Sequence, residues 1–493
     1  MSTSRRASGR LRTTPLLVAA AGTLVLAACS RAPLAPRTLG QEGNQPSTTG
    51  ANTPGAVGVT ATKGTGRGTG TSKVSTPGVT GASGPGTTGV PGAGNTPGAV
   101  DPTYAGTKTH LFTLGENRIG ITKTQLTMCA HAALTYGAAF NTSAADFNVY
   151  WSHVNDHGGL FGRTVNVTYE NDNYTAADAV KAATACAAKN PFMILGGIGF
   201  DQIPAVRNFV EQRHILYLHH TATVRGSAGQ QYSFSELPTV ERTGAGFAQL
   251  ADKLFRGMKI GIIERDSPNW SPGTDAFKAA AKTYGLNIVS DAKVVDKQGN
   301  YTNEILQMKN AGAQVVFGWE NALNATELIK QAKAQLYSPH WMVFGLNLMS
   351  QTLSNDALTP PLVGSVMFTP YSYGDYSGSF ARYADDIKEF EAQYKHYRPN
   401  TNLKGVGGDL LFLNWVGQKA LYEQFLLCGS DCTRNKFLDV LAGYNATPTS
   451  SACPIDFVHS DGHHGSNQLN FVEAYKSPSG QVNFRNLVPC VGP

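Results

Sequence analysis

From residue 118 onward, apolar and polar positions fall into two alternating rhythms. "RIGIT" (118–122), "TVNVTYEND" (164–172), "FMILGG" (192–197) and "ILYLHH" (215–220) read as strands. Between them, "AADFNVYWSHVND" (144–156), "TAADAVKAATACAAK" (175–189) and "IPAVRNFVEQR" (203–213) carry helical spacing. His157-Gly158-Gly159 stops the first helix, and Thr175 is the expected N-cap of the second. The rhythm then restarts. "KIGIIE" (259–264), "NIVSDAKVV" (287–295), "QVVFGW" (314–319) and "HWMVFGLN" (340–347) read as strands. The helices of this second series are predicted at 273–285, 301–312 and 325–335. Short apolar strands separated by helices predict parallel sheets covered on both faces. Two series in one chain predict an α/β protein of two doubly wound lobes rather than one very wide sheet.

The first hundred residues have a different character. Arg5, Arg6, Arg10 and Arg12 precede an apolar run from Leu16 to Ala28. That run is shorter than the roughly 18 residues of a spanning helix, so it reads as the core of a secretory signal. It closes on Leu26-Ala27-Ala28-Cys29, which resembles the bacterial lipoprotein processing box. The expectation is a signal peptide at 1–28 and a lipid on the Cys29 thiol. The lipid would be the chain's only attachment to the membrane, on its outer face. Residues 31–100 contain no Phe, Trp or Tyr, are crowded with Gly, Thr, Pro and Ser, and hold "NTPGAV" twice. Such a stretch cannot bury enough apolar surface to offset its ordering entropy. Residues 29–110 therefore read as a lipidated cysteine and a disordered linker.

Charge follows the same division. Residues 1–100 carry nine Arg and Lys against Glu42 alone, a net of +8, while the whole chain is +6, leaving about −2 for residues 101–493. The globular part thus has no basic surface suited to nucleic acid. Six cysteines remain besides Cys29: Cys129, Cys186, Cys428, Cys432, Cys453 and Cys490. An even number in an exported chain predicts three disulfides, and fifteen connectivities are open. The expected set is Cys129–Cys186, Cys428–Cys432 and Cys453–Cys490. No pattern calls for a metal or another cofactor, and no motif of a hydrolase elbow, zinc protease or phosphate-cradling loop is present.

The run from Asn155 to Val165, "NDHGGLFGRTV", with Asp172 after the next strand, resembles the type I periplasmic binding proteins. These are the substrate-binding subunits of ABC importers of the branched-chain amino acid class. The later order of "GGIG", "GMKIGIIERD", "YTNEILQMKNAGAQVVF" and "CPIDFVHSDGHHGSNQLNFVEAY" is similar to the same family. The resemblance implies two lobes joined by a three-crossover hinge, with the ligand between them. The implied lobes are 114–237 plus 368–455, and 238–367 plus 456–493.

Loops after the strands then supply the expected ligand contacts. On the first lobe these are Gln125 after "RIGIT", Gly199 and Phe200 after "MILGG", and His219, His220 and Thr221 after "ILYL". His219 and His220 point to opposite faces of a strand, so at most one faces the cleft. On the second lobe they are Trp270, Tyr301, Trp319, Glu320 and Asn347, with Tyr371 near a crossover. Trp270 is expected to cover the ligand and Trp319 to stand on a cleft-facing strand end, and truncating either is expected to weaken binding without unfolding the domain. Relatives place a Ser after the third strand and an acid near position 347. Their absence here weakens the case for an α-amino acid.

The implied function is a monomeric, lipid-anchored, extracytoplasmic receptor. It would capture a small polar or amphiphilic solute by lobe closure and hand it to ABC permease subunits. A ligand sensor coupled to a non-transport partner is the alternative on the same fold, and a secreted enzyme is the third.

Overall fold

The computed structural model describes residues 108–136, 142–197, 199–221, 223–345, 348, 359–369, 384–403, 407–446, 453–459, 463–466, 468–478, 480 and 482–491. The expected signal peptide, Cys29, nearly all of the linker, Asn347 and Tyr371 lie outside these residues.

The first sheet is built from β1 (Gln125–Ala132), β2 (Thr164–Asn171), β3 (Ile194–Gly196), β4 (Tyr217–His219) and β5 (Ser233–Ser235). Its order is β2-β1-β3-β4-β5, and every pairing is parallel. The helices between these strands are α1 (Ala144–Phe147), α2 (Val149–Asp156), α3 (Ala176–Ala187), α4 (Gln202–Gln212) and α5 (Val224–Ser227). Thr175 caps α3, its hydroxyl accepting the Asp178 N–H at 3.1 Å. After α2 the chain turns through Gly158 and Gly159, both at positive φ. A Cβ on Gly159 would lie 2.1 Å from the Arg163 carbonyl oxygen, so this turn admits no side chain there.

Two sequence expectations change here. The first strand is Gln125–Ala132, not 118–122. The earlier segment turns at Gly120, with φ of 77°, and returns through a Thr122 N–H bond to the Gln125 carbonyl. The true strand looks polar because its buried positions hold Cys129, disulfide-bonded to Cys186, and His131, which bonds Asp172 and Tyr217. Second, the helix at 144–156 is two helices meeting at Asn148, whose side-chain amide donates to the Val167 carbonyl of β2.

The second sheet is entered by α6 (Val240–Leu254). Then follow β6 (Lys259–Arg265), α7 (Ser271–Tyr284), β7 (Asn287–Val294), α8 (Thr302–Asn310), β8 (Val315–Trp319), α9 (Ala322–Ala334), β9 (His340–Phe344), α10 (Thr359–Leu362) and β10 (Val366–Phe368). The chain next makes α11 (Ala384–Tyr397), α12 (Gly408–Cys428) and α13 (Arg434–Gly443), which pack on the first sheet's side. The short β11 (Asn445–Ala446) and β12 (Ile455–Asp456) pair with each other. Finally β13 (Leu469–Lys476) and β14 (Val482–Val491) add two antiparallel strands to the second sheet, whose order is β14-β13-β10-β9-β8-β6-β7.

The chain therefore passes between the sheets three times: after β5, after β10 and after β12. The first and third passages are laced together. The Ser235 N–H donates to the His463 carbonyl at 2.7 Å, and the Gly465 N–H donates to the Ser235 carbonyl at 2.6 Å. The His463 Nδ1–H donates to the Ser233 carbonyl at 3.0 Å. A second disulfide joins Cys428 to Cys432 at the end of α12. The Cys490 side chain lies outside the described set.

Candidate functional site

Both sheets carry the same permutation. β2-β1-β3-β4-β5 in the first corresponds to β7-β6-β8-β9-β10 in the second. In each, the chain reverses direction of winding beside the central strand, and ligands of open α/β sheets sit outside the carboxyl ends of strands at that point. In the first sheet the switch lies between β1 and β3, and in the second between β6 and β8.

Side chains from these two points meet. Phe200, just after β3, sets its ring edge-on to Trp270 at 4.2 Å between centroids and stacks on Trp319 at 5.8 Å; Phe344 closes the group at 5.9 Å. Next to Phe200, the Asp201 carboxylate accepts from the Ser267 hydroxyl at 2.6 Å and the Asn269 amide at 3.0 Å. Arg265, at the end of β6, lies 3.3 Å from Asp201 and 3.1 Å from Asp296. The Tyr136 hydroxyl donates to Asp296 at 2.7 Å. The result is an aromatic plug beside an ionic clasp, with Tyr136, Phe200 and Asp201 from the first lobe and the rest from the second. Burial opposes the Arg265 charge, but Tyr174, Asp296, Asp201 and Glu320 around it raise its pKa above the ordinary value.

Of the residues expected from sequence, Phe200, Trp270 and Trp319 come together here. Gly199 and Thr221 hold the Phe200 loop, the Gly199 N–H donating to the Thr221 hydroxyl at 3.3 Å. Glu320 follows Trp319 and is fully buried at the start of α9. It accepts from the Asn324 side chain at 3.0 Å and the Asn321 N–H at 3.3 Å. Tyr301 is fully buried ahead of α8, its N–H donated to Gln331, and burial pushes its phenol upward.

Three expectations are corrected. Gln125 begins β1 and so occupies the edge opposite the strand ends, because the first strand starts after "RIGIT" rather than within it. His219 is a core residue, bonded to the Ser233 hydroxyl at 2.9 Å and accepting the Thr221 N–H; burial holds its pKa well below the ordinary value. Its neighbour His220 faces a cavity in the first lobe, away from the aromatic plug. Trp319 is not a cover that can be trimmed. It is fully buried, packs also on Phe247 and Phe317, and donates its indole N–H to the Trp270 carbonyl at 2.9 Å.

Tyr136, Asp201, Arg265 and Asp296 are site residues that sequence reading passed over. Their signal was positional. Each follows or ends a strand, but the first depended on locating β1 correctly.

Glu320 gives a pH prediction. Burial raises its pKa from 4.5 to about 8, against the pull of Asn324, Arg265 and Asn321. A carboxyl raised on folding contributes stability that is fully present below its unfolded pKa and is lost as pH rises through the folded value. Between pH 5 and pH 8 the chain is expected to lose about 2–4 kcal/mol through this group. Glu236 acts in the same direction, and His220, lowered to about 4, acts oppositely and only on the acid side. Glu320→Gln should therefore raise the melting temperature at pH 8 and flatten its fall from pH 5. A variant profile parallel to the wild type would contradict this.

The sequence profile of the family described as periplasmic binding protein matches residues 135–478. Over 230 residues the chain is 24% identical to the Leu/Ile/Val-binding protein homolog 8 of Brucella abortus (strain 2308), covering 46% of this chain and 53% of that protein. The chain thus spans about half the length of the curated relatives it matches. Among solved structures, a fatty acid ABC transporter substrate-binding protein from Thermomonospora curvata superposes with a TM-score of 0.59 at 17% identity, over 79% of this chain and 96% of that one. A branched-chain amino acid ABC transporter protein from Thermus thermophilus with bound valine gives 0.61 at 14%, over 76% and 98%. A solute-binding protein from Rhodopseudomonas palustris BisB5 in complex with 3,4-dihydroxybenzoic acid gives 0.61 at 17%, over 75% and 98%.

Proposed function

The chain belongs to the periplasmic binding protein family, and on that premise we propose that it captures a small amphiphilic solute between its two lobes and delivers it to the permease of an ABC importer. The clasp carries this reading. Residues from both switch points, Phe200 and Asp201 on one side and Arg265, Trp270 and Trp319 on the other, already reach each other. A solute seated among them touches both lobes at once. Contacts made only when both lobes engage favour the closed form, which a permease can distinguish from the open one. The aromatic plug beside an arginine suits a molecule with an apolar body and a polar or anionic end. Valine, a fatty acid and dihydroxybenzoate, named with the structural relatives, are all of that kind.

In this reading the protein works outside the cytoplasm as a monomer, held to the membrane's outer face by a lipid on Cys29 and lifted from it by the Gly/Thr/Pro-rich linker. Cys29→Ala is expected to move the protein from the membrane fraction to the soluble one; unchanged membrane retention would remove the lipid from the account. Among the described residues no helix is long and apolar enough to cross a membrane.

Capture itself is tested by a thermal-shift screen of purified protein against carboxylic amphiphiles and amino acids. A true solute at 100 times its dissociation constant stabilises by about 2.7 kcal/mol. It should be recovered chemically unchanged, since this reading is of a binder and not an enzyme. Conversion of the bound compound, or no stabilisation by any member of the panel, would count against it.

A further inference from the structure

The first lobe contains a cavity that the clasp does not use. It lies between the β1, β3 and β4 strands and helix α12, and Ala130, Leu195, Leu218, Leu410, Leu413 and Leu421 are among its apolar lining. About 80 Å³ is open to the centre of a water-sized sphere. At roughly 10–15 Å³ for each water-sized occupant, this is room for about five to eight non-hydrogen atoms.

Its polar side chains are His131, Asn414, Gln418, Glu236 and His220, of which the buried Gln418 and Glu236 and the partly exposed His220 have atoms without a well-aligned hydrogen bond. Gln418 donates its amide to the Phe147 carbonyl at 2.7 Å and to the Tyr169 hydroxyl at 3.0 Å, leaving its Oε1 without a partner. Glu236, 1% exposed, lies against the Gln424 side chain, makes no well-aligned hydrogen bond through Oε1, and has its Oε2 3.4 Å from His220 Nδ1. That Nδ1 makes no well-aligned hydrogen bond. His131 also lines the space, but both its nitrogens are engaged, with Asp172 at 2.9 Å and Tyr217 at 2.6 Å. Buried polar atoms are normally paired, so this cluster asks for a partner.

The lining also says what the partner is not. No lysine or arginine is among the described lining residues. Burial favours the uncharged form of both groups, raising the Glu236 carboxyl to about 8 and lowering the His220 imidazole to about 4. An anion would enter with no counter-charge, at a large desolvation cost. A hydroxyl group can donate to Gln418 Oε1 or His220 and accept from the Glu236 acid without carrying charge.

We propose that this cavity is a second binding site, for a neutral hydroxyl-bearing ring or short chain whose apolar body lies against α12 and whose hydroxyl meets Glu236, His220 and Gln418. The proposal extends the solute-capture reading by adding a site within one lobe. Gly417 on α12 makes room for the polar end, since a Cβ there would stand 3.3 Å from the His220 ring.

The probe is 4-bromophenol, titrated calorimetrically into the full chain and located in co-crystals by bromine anomalous scattering. The expected result is saturable binding and a bromine peak between Leu195 and Leu413. 4-Bromobenzoate and bromobenzene should bind at least tenfold more weakly, the first for its charge and the second for leaving the polar cluster unmet. Gly417→Leu should weaken 4-bromophenol at least tenfold. Should that variant fail to fold, Gly417→Ala, which a helix interior favours, is expected to weaken it several-fold. Equal affinity in the glycine variants, equal affinity for the benzoate, or no binding would overturn the site. A bromine peak between Phe200 and Trp270 would overturn it too, while leaving solute capture standing. A filled cavity together with no stabilisation by any solute of the screening panel would keep this site and count against capture.

Discussion

Trp319→Ala is expected to lower stability by about 3–5 kcal/mol, the usual range for emptying a fully buried Trp or Phe site. The argument rests on what surrounds the indole. Phe317 and Phe200 stack on it, Phe247, Trp270 and Phe344 meet it edge-on, and α7 presses against it at Gly273, where a Cβ would stand 2.6 Å from the ring. These neighbours sit on different strands and helices, so the cavity cannot collapse without moving the second sheet. On the proposed lobe closure, Phe200→Ala should cost much less, because Phe200 comes from the other lobe, which that motion would let move away. Urea unfolding of the two variants checks both statements. A Trp319→Ala cost below that of Phe200→Ala would mean that the indole is a cover after all.

Removing the Cys129–Cys186 bond is the second large effect. It ties the centre of β1 to α3 and closes a loop of 57 residues. Chain-entropy reasoning gives about 4 kcal/mol for a loop of this length and about 2 kcal/mol for one as short as Cys428–Cys432, separated by 4 residues. Both cysteines of the first pair are fully buried among Ala179, Ala183 and Ile194, so alanine replacements introduce no polar atom into the core. The Cys129→Ala/Cys186→Ala variant should therefore melt well below Cys428→Ala/Cys432→Ala. The reverse order would show that strain or unfolded-state structure outweighs loop closure here.

The second sheet was more legible in the sequence than the first. β6 and β8 are runs of Ile, Val and Phe, buried on both faces, and they announce themselves. β1 reads QLTMCAHA, and its burial depends on a disulfide and a His131–Asp172–Tyr217 network that no local pattern reveals. Missing it by a few residues sent Gln125 to the wrong edge of the sheet and hid Tyr136. α12 shows no amphipathic stripe because nearly all of it is buried, so periodicity had nothing to report. The aromatic members of the candidate site could be picked out by their places after strands. The clasp could not, since Arg265 meets Asp201 only across the lobes and Asp296 only through the pairing of β6 with β7.

The most direct measurement is the solution scattering of the chain with and without the solute that stabilises it most. The account predicts a wider average separation of the lobes in the free protein and a single, narrower form at saturation, with Phe200→Ala shifted toward the wide form. Superimposable curves from free protein and from protein with solute demonstrably bound would contradict it.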